Sequence, residues 1–351
     1  MEAWLTGMAQ QLPLPALFAV IAAAILVLVK GADLLVDQAV ALSIRWGVPT
    51  MLIGATIVSI GTTLPEASVS VFAALQGAPG LALGNAVGSI IADTGLILGL
   101  AIIIGRVPVD KRLVSRQSWI QVASALLLVA ACVPYLALRG TFTTGGRLPQ
   151  LVGVVFLVLL ALYLWRSIAW SKDAPAGGGE EVASHAGAAD EGPVPMLLKL
   201  AAGLAMVVAG SRLLIPAVEE TALRLHIPDA IIAATLVAFG TSLPELVTSV
   251  TAVRKGHGAL AIGNVLGADV LNVLFVSGAA AAATRAGLEV PPQFFFLFFP
   301  SMLFVVLVLR VGVSRVEGEF SKGFGFVLLF AYLITVVLGY VVPGSPGGAH
   351  G

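Results

Sequence analysis

The hexapeptide GTTLPE, Gly61 to Glu66, returns 179 residues later as GTSLPE, Gly240 to Glu245, and the match runs on without a gap. At this offset Gly31 aligns with Gly210, Pro49 with Pro228, Thr56 with Thr235, Gly77 with Gly256, Gly84 with Gly263, Asn85 with Asn264 and Gly88 with Gly267. The chain around both copies is 58% hydrophobic and 11% charged, outside the range of a water-soluble domain. At about 20 apolar residues per crossing, with Gly, Pro and charge clusters as punctuation, ten spans are expected. They fall roughly at 14–40, 49–76, 79–104, 117–138, 148–168, 195–221, 228–254, 258–284, 292–313 and 323–342. Residues 172–193, rich in Gly, Ala and acids, have the composition of a flexible linker and divide the spans five and five. Because each half crosses an odd number of times, the second copy must enter from the opposite side, which makes the duplication an inverted repeat. The expected fold class is therefore all-α integral membrane: ten transmembrane helices as two inverted five-helix repeats. The divisions are residues 1–168, a cytoplasmic linker at 169–194, and residues 195–351 including a short tail.

Loop charge predicts the orientation. With the N-terminus outside, the inner loops collect Arg45, Arg106, Lys111, Arg112, Arg116, Arg166, Lys172, Arg254, Lys255, Arg310, Arg315 and Lys322. The outer loops keep Arg139, Arg147, Arg224 and Arg285, so both termini are expected outside a plasma or inner membrane. The opening residues lack the basic flank of a cleavable leader, and the first apolar run is expected to be retained. Trp119, Trp165 and Trp170 fall at span ends, where aromatic belts belong. The single cysteine, Cys132, rules out an intrachain disulfide and a thiolate metal cluster. Balanced charge gives no sign of nucleic-acid binding, and no obligatory protein partner is implied; the expected surroundings are the lipid bilayer.

An ionisable residue at membrane depth is functional by default. Glu66 lies about 12 residues before the center of the turn Gln76–Pro79 and Asp93 about 15 after it, which at 1.5 Å per residue puts both carboxylates at similar depth, about 18 and 22 Å from the turn. Glu245 and Asn272 repeat that geometry around Gly256. Pro65 and Pro244 are expected to free the carbonyls of Gly61 and Gly240, beside the hydroxyls of Thr62, Thr63, Thr241 and Ser242. Carboxylates, hydroxyls and carbonyls with no His or Cys in reach suit hard cations such as Ca2+, Na+ or Mg2+. The glycines of LALGNAVGS and LAIGNVLGA would let helix backbones approach closely.

GTTLPEASVS with ALGNAVGSIIAD, and GTSLPELVTS with AIGNVLGADVLN, resemble the two alpha-repeats of the sodium/calcium exchanger branch of the Ca2+:cation antiporters. The resemblance covers both halves outside the linker and tail. It implies ten helices in the sodium/calcium exchanger fold, and exchange of external Na+ for Ca2+ by alternating access at a site between helices 2, 3, 7 and 8. Glu66 and Glu245 match the central Ca2+-ligating glutamates. Thr62 and Thr241 match threonines whose carbonyls join them. Thr63 and Ser242 fall at hydroxyl positions lining the Na+ sites, Ser59 and Ala238 at positions giving backbone carbonyls, and Ser89 at a Na+-lining serine. Asp93 and Asn272 match the pair on helices 3 and 8. The transported ions would be Ca2+ and Na+, with no cofactor.

Two departures stand out. Relatives typically read GSN in both repeats, whereas here Ala268 lacks the hydroxyl and Asp269 follows it. The acid of the helix 3 and helix 8 pair also lies in the first repeat rather than the second. Asp269 is balanced between lining the cavity and an interhelical contact. The nearest alternative is Ca2+/H+ exchange through the same glutamates, since carboxylates also carry protons. An intramembrane enzyme is disfavoured by the absence of an HExxH motif and of a nucleophile-base pair beside Glu66, and a passive channel by the in-plane symmetry. Lys30, and the oppositely charged Asp33 and Arg212 at equivalent positions, are expected to snorkel or pair structurally. His226 and His257 are expected in solvated loops. The linker acids Glu180, Glu181, Asp190 and Glu191 lack an EF-hand pattern and are expected to be solvated.

Overall fold

The computed structural model describes residues 2–135, 141–173, 192–225 and 241–341. Among these, nine helices are long and apolar enough to cross a bilayer. A short helix, α1 (Glu2–Gln11), precedes them and was not signalled by the span pattern. The first half continues as α2 (Leu14–Trp46), α3 (Thr50–Leu75), α4 (Pro79–Ile104), α5 (Leu113–Cys132) and α6 (Gln150–Asp173). The second half supplies α7 (Pro193–Arg224), α8 (Leu243–Arg254), α9 (Gly258–Ala283), α10 (Phe294–Arg315) and α11 (Lys322–Val341). Of the expected seventh span, residues 228–240 lie outside the described residues, as do 174–191 of the linker and His226.

Helices overrun the expected spans where they continue through more polar sequence beyond the apolar stretch. α2 continues to Trp46 and stops where Gly47 adopts φ 63°, a left-handed conformation that favours glycine. The two hairpin turns are built alike. Gly77 (φ 78°) and Gly256 (φ 86°) close them, and the residue after each donates to a carbonyl five positions back, Ala78 to Ala73 at 2.9 Å and His257 to Ala252 at 2.8 Å. His257 is at the predicted turn but is only 5% exposed, because this turn packs it inward; the solvated position expected for it is not found.

Small residues set the closest helix crossings. α2 lies along α7, and a Cβ built on Gly31 would come within 2.9 Å of the Gly203 carbonyl, as one on Gly203 would of the Gly31 carbonyl. At α9, a Cβ on Gly263 would collide with the Met51 carbonyl and one on Gly267 with the Ala55 carbonyl, so α9 meets α3 backbone to backbone. Wide π-helical turns interrupt α3 at Gly54–Val58, α4 at Ala92–Ile97 and α9 at Asn272–Ser277, the last two at equivalent places in the repeat.

Short strands tie the loops in pairs. β1 (Pro108–Val109), β2 (Gly146–Leu148), β3 (Leu288–Val290) and β4 (Gly318–Glu319) pair antiparallel, β1 with β4 and β2 with β3. Each pair joins loops that a ten-crossing path puts on the same side. Lys111 meets Glu317 at 2.7 Å beside β1 and β4, an exposed pair that solvent and salt screen. Asp33 finds its partner in Lys255, whose ammonium sits 3.2 Å from Asp33 and 2.8 Å from Asp37 and so fastens α2 to the α8–α9 turn. Partial burial works against the Lys255 charge, but the hydrogen bonds and charges of Asp37 and Asp33 outweigh it and hold its pKa above the usual lysine value. Arg116 stacks 4.8 Å over Trp170 and Arg310 4.4 Å over Trp119.

Candidate functional site

Four helices bring polar side chains into the apolar interior. On α3, Ser59, Thr62, Thr63, Glu66 and Ser70 recur at three- and four-residue spacing and share one buried face. Asn85, Ser89 and Asp93 do the same along α4. Thr241 and Ser242 lead into α8, and Glu245 sits in its first turn; α9 carries Asn264, Asp269 and Asn272. Glu66, Glu245, Asp93, Asp269 and Asn272 are each 1% exposed, and Ser59, Thr62, Thr63, Ser89 and Ser242 are also buried. Thr241 is partly buried, and Ala238 lies outside the described residues.

Hydrogen bonds join the two halves crosswise. Thr241 Oγ1 donates to Asn85 Oδ1 at 3.1 Å, and its counterpart Thr62 Oγ1 to Asn264 Oδ1 at 3.5 Å. Each asparagine is braced from its own repeat: Asn85 Nδ2 donates to Ser70 Oγ at 3.0 Å, and Asn264 Nδ2 to Ser249 Oγ at 3.3 Å. Asn85 with Asn264 and Ser70 with Ser249 are repeat-related at offset 179, and the structure adds all four to the polar network of the site. Between the acids, Thr63 Oγ1 reaches Glu245 Oε1 at 3.4 Å.

The carboxylates themselves are poorly satisfied. Both oxygens of Glu66, both of Asp93, Oε2 of Glu245 and Oδ1 of Asn272 are buried without a hydrogen-bond partner. Glu66 lies within electrostatic reach of Glu245 and Asp93, so the acids repel one another. Burying such groups costs several kcal/mol each unless a counter-charge meets them. These carboxylate and amide oxygens, together with the unpartnered hydroxyl of Ser242, can be met by a cation. Among the described residues no three His, Cys, Asp or Glu side chains are arranged to hold a metal ion. The carboxylates are instead dispersed among neutral oxygens, a pattern suited to a hard ion that must also leave.

The two prolines fare differently. Pro65 lies inside α3, where its missing N–H leaves the Gly61 carbonyl without its partner, as expected, while the wide turn of that helix comes earlier, at Gly54–Val58. Pro244 stands in the first turn of α8, where its missing N–H has no partner to lose. Neither wide turn carrying Asp93 and Asn272 was foreseen. Asp269 makes the interhelical contact: it accepts hydrogen bonds from Thr94 and Gln121.

The sodium/calcium exchanger protein family profile matches residues 16–169 and 196–341. An uncharacterized membrane protein of Methanocaldococcus jannaschii is 31% identical over 315 residues, 89% of this chain and 94% of its own length. A sodium/calcium exchanger of Methanosarcina acetivorans is 29% identical, spanning 92% of this chain and 99% of its own. A solved structure of the sodium-calcium exchanger NCX_Mj superposes with a TM-score of 0.75 at 27% identity, covering 93% of this chain and 99% of that one. With its nearly all-helical, multi-pass fold and its buried oxygen-lined center, the chain belongs to the sodium/calcium exchanger family, a family of transporters and not of enzymes.

Proposed function

We propose that this protein exchanges Na+ for Ca2+ by alternating access and exports Ca2+ from the cytoplasm, with Glu66 and Glu245 as the paired charges that take the ion. The observation that carries this reading is the set of unpartnered buried oxygens on Glu66, Glu245, Asp93 and Asn272, drawn from both inverted hairpins. Two ionised glutamates balance one Ca2+. Several Na+ ions would draw on the same carboxylates together with Asp93 and the hydroxyls of Thr63, Ser89 and Ser242. Shared ligands make the two occupancies exclusive, and carrying the empty, negatively charged center across the bilayer is costly, which suppresses leak. The carbonyls of Ser59, Thr62, Thr241 and Ala238 complete the proposed ligand set. Both termini lie outside, and residues 169–194 form a cytoplasmic linker between the five-helix units 1–168 and 195–351.

Everted vesicles containing the purified protein test this directly. Radiolabelled Ca2+ should accumulate when Na+ is loaded inside, and accumulation should cease when luminal Na+ equals external Na+. Uptake that ignores Na+ but follows a pH gradient would overturn the sodium reading in favour of Ca2+/H+ exchange.

A further inference from the structure

Asp269 adds a charge that the two-fold arrangement does not require. The positions 179 residues from Asp269, Thr94 and Gln121 are Ile90, Val273 and Pro300, so this cluster exists in one half only. Thr94 Oγ1, on α4, donates to Asp269 Oδ2 at 2.5 Å; Gln121 Nε2, on α5, donates to the same oxygen and to Thr94 Oγ1 at 2.9 Å. These bonds fix the amide of Gln121, because turning it over would set its carbonyl against the carboxylate. Two acceptors are then left over. Asp269 Oδ1 and Gln121 Oε1 are buried without a hydrogen-bond partner, on residues each 1% exposed and bonded to one another.

Among the described residues no lysine, arginine or histidine forms an ion pair with Asp269, and Asp93, of the same sign, lies within electrostatic reach of it. A buried carboxylate held only by neutral donors leaves one negative charge to be met. One charge with neutral amide and hydroxyl oxygens balances a monovalent ion; a divalent one would leave an excess charge in a low-dielectric interior. Oxygen donors alone select a hard ion. We propose that Asp269, Gln121 and Thr94 form a second cation position, beside the main center, that binds a monovalent alkali ion, Na+ or K+. It rests on the exchanger reading only in taking the interior as a path for cations. Filling it would screen Asp93 from Asp269 and so couple monovalent binding to the main center.

The test is the melting temperature of purified protein in detergent, with Glu66→Gln and Glu245→Gln together in the background to disable the main center. NaCl, KCl and choline chloride are compared at equal ionic strength. Na+, K+ or both should stabilise beyond choline, and which of them does so names the ion. Asp269→Asn, which keeps the shape and the acceptor for Thr94, should raise the half-stabilising concentration by more than about tenfold, and Gln121→Met should do so in the same direction. The proposal is overturned if choline stabilises as well as the alkali ions, or if their effect survives Asp269→Asn. Stabilisation by Ca2+ that persists in the Glu66→Gln, Glu245→Gln background would count against the main-center assignment instead, so the two failures are separate.

Discussion

Replacing Glu66 or Glu245 with glutamine is expected to stop Ca2+ exchange while making the ion-free protein more stable. Each glutamate supplies one of the two charges that offset Ca2+ in the proposed center. Removing a buried charged partner costs about 2–5 kcal/mol, or roughly 30-fold to several thousand-fold in affinity. Ca2+ uptake into proteoliposomes should therefore fall at least about thirtyfold for either variant. Stability moves the other way, because without ions the acids are buried, under-bonded and mutually repelling. Glutamine relieves that repulsion, and the melting temperature in chelator should rise by roughly 1–1.5 °C per kcal/mol recovered in a chain of 351 residues. The two variants should differ. Glu245 already accepts a hydrogen bond from Thr63, whereas neither carboxylate oxygen of Glu66 has a partner, so Glu66→Gln should gain more. Substantial exchange by either variant, in protein that melts cooperatively, would remove that glutamate from the center.

How far these features could be read from the sequence depended on whether their cause was local or tertiary. The helix hairpins were legible because Gly77 and Gly256 mark turns in register and their flanks are uniformly apolar. Helix ends were less so: hydropathy reports where the apolar run stops, while α2 and α6 continue through more polar sequence to Trp46 and Asp173. The acids of the center stood out through their cost in an apolar setting. Asn85 and Asn264 did not, since an amide between two glycines reads as part of a packing motif until Thr241 and Thr62 are seen to bond it across the repeat. The wide turns at Asp93 and Asn272 have no residue signature, because packing rather than composition inserts the extra residue. Gln121 was illegible for a similar reason. Its role comes from the approach of α5 to Asp269, and nothing in its own neighbourhood announces it.

Alanine at Gly263 or Gly267 should cost both stability and transport, although neither glycine has a side chain to contribute. A single Cβ at Gly263 would strike the carbonyl of Met51, and one at Gly267 the carbonyl, Cα and carbonyl carbon of Ala55. The obstacles are backbone atoms of α3, which cannot swing aside as the tip of a side chain would, so α9 must move off α3. Overpacking of this kind costs about 1–3 kcal/mol. Asn264 is next to Gly263 and holds Thr62 of α3 at 3.5 Å, while its amide donates to Ser249 of α8 at 3.3 Å. Shifting α9 outward stretches the first of these bonds beyond useful length and separates Asn272 from the acids of α3. A misplacement of about 1 Å can cost ~100-fold where geometry must be held, so exchange should fall by more than the lost stability alone would explain. Melting temperature and Ca2+ uptake measured on Gly263→Ala and Gly267→Ala check both effects. Unchanged uptake in both variants would mean that the α3–α9 contact does not position the center.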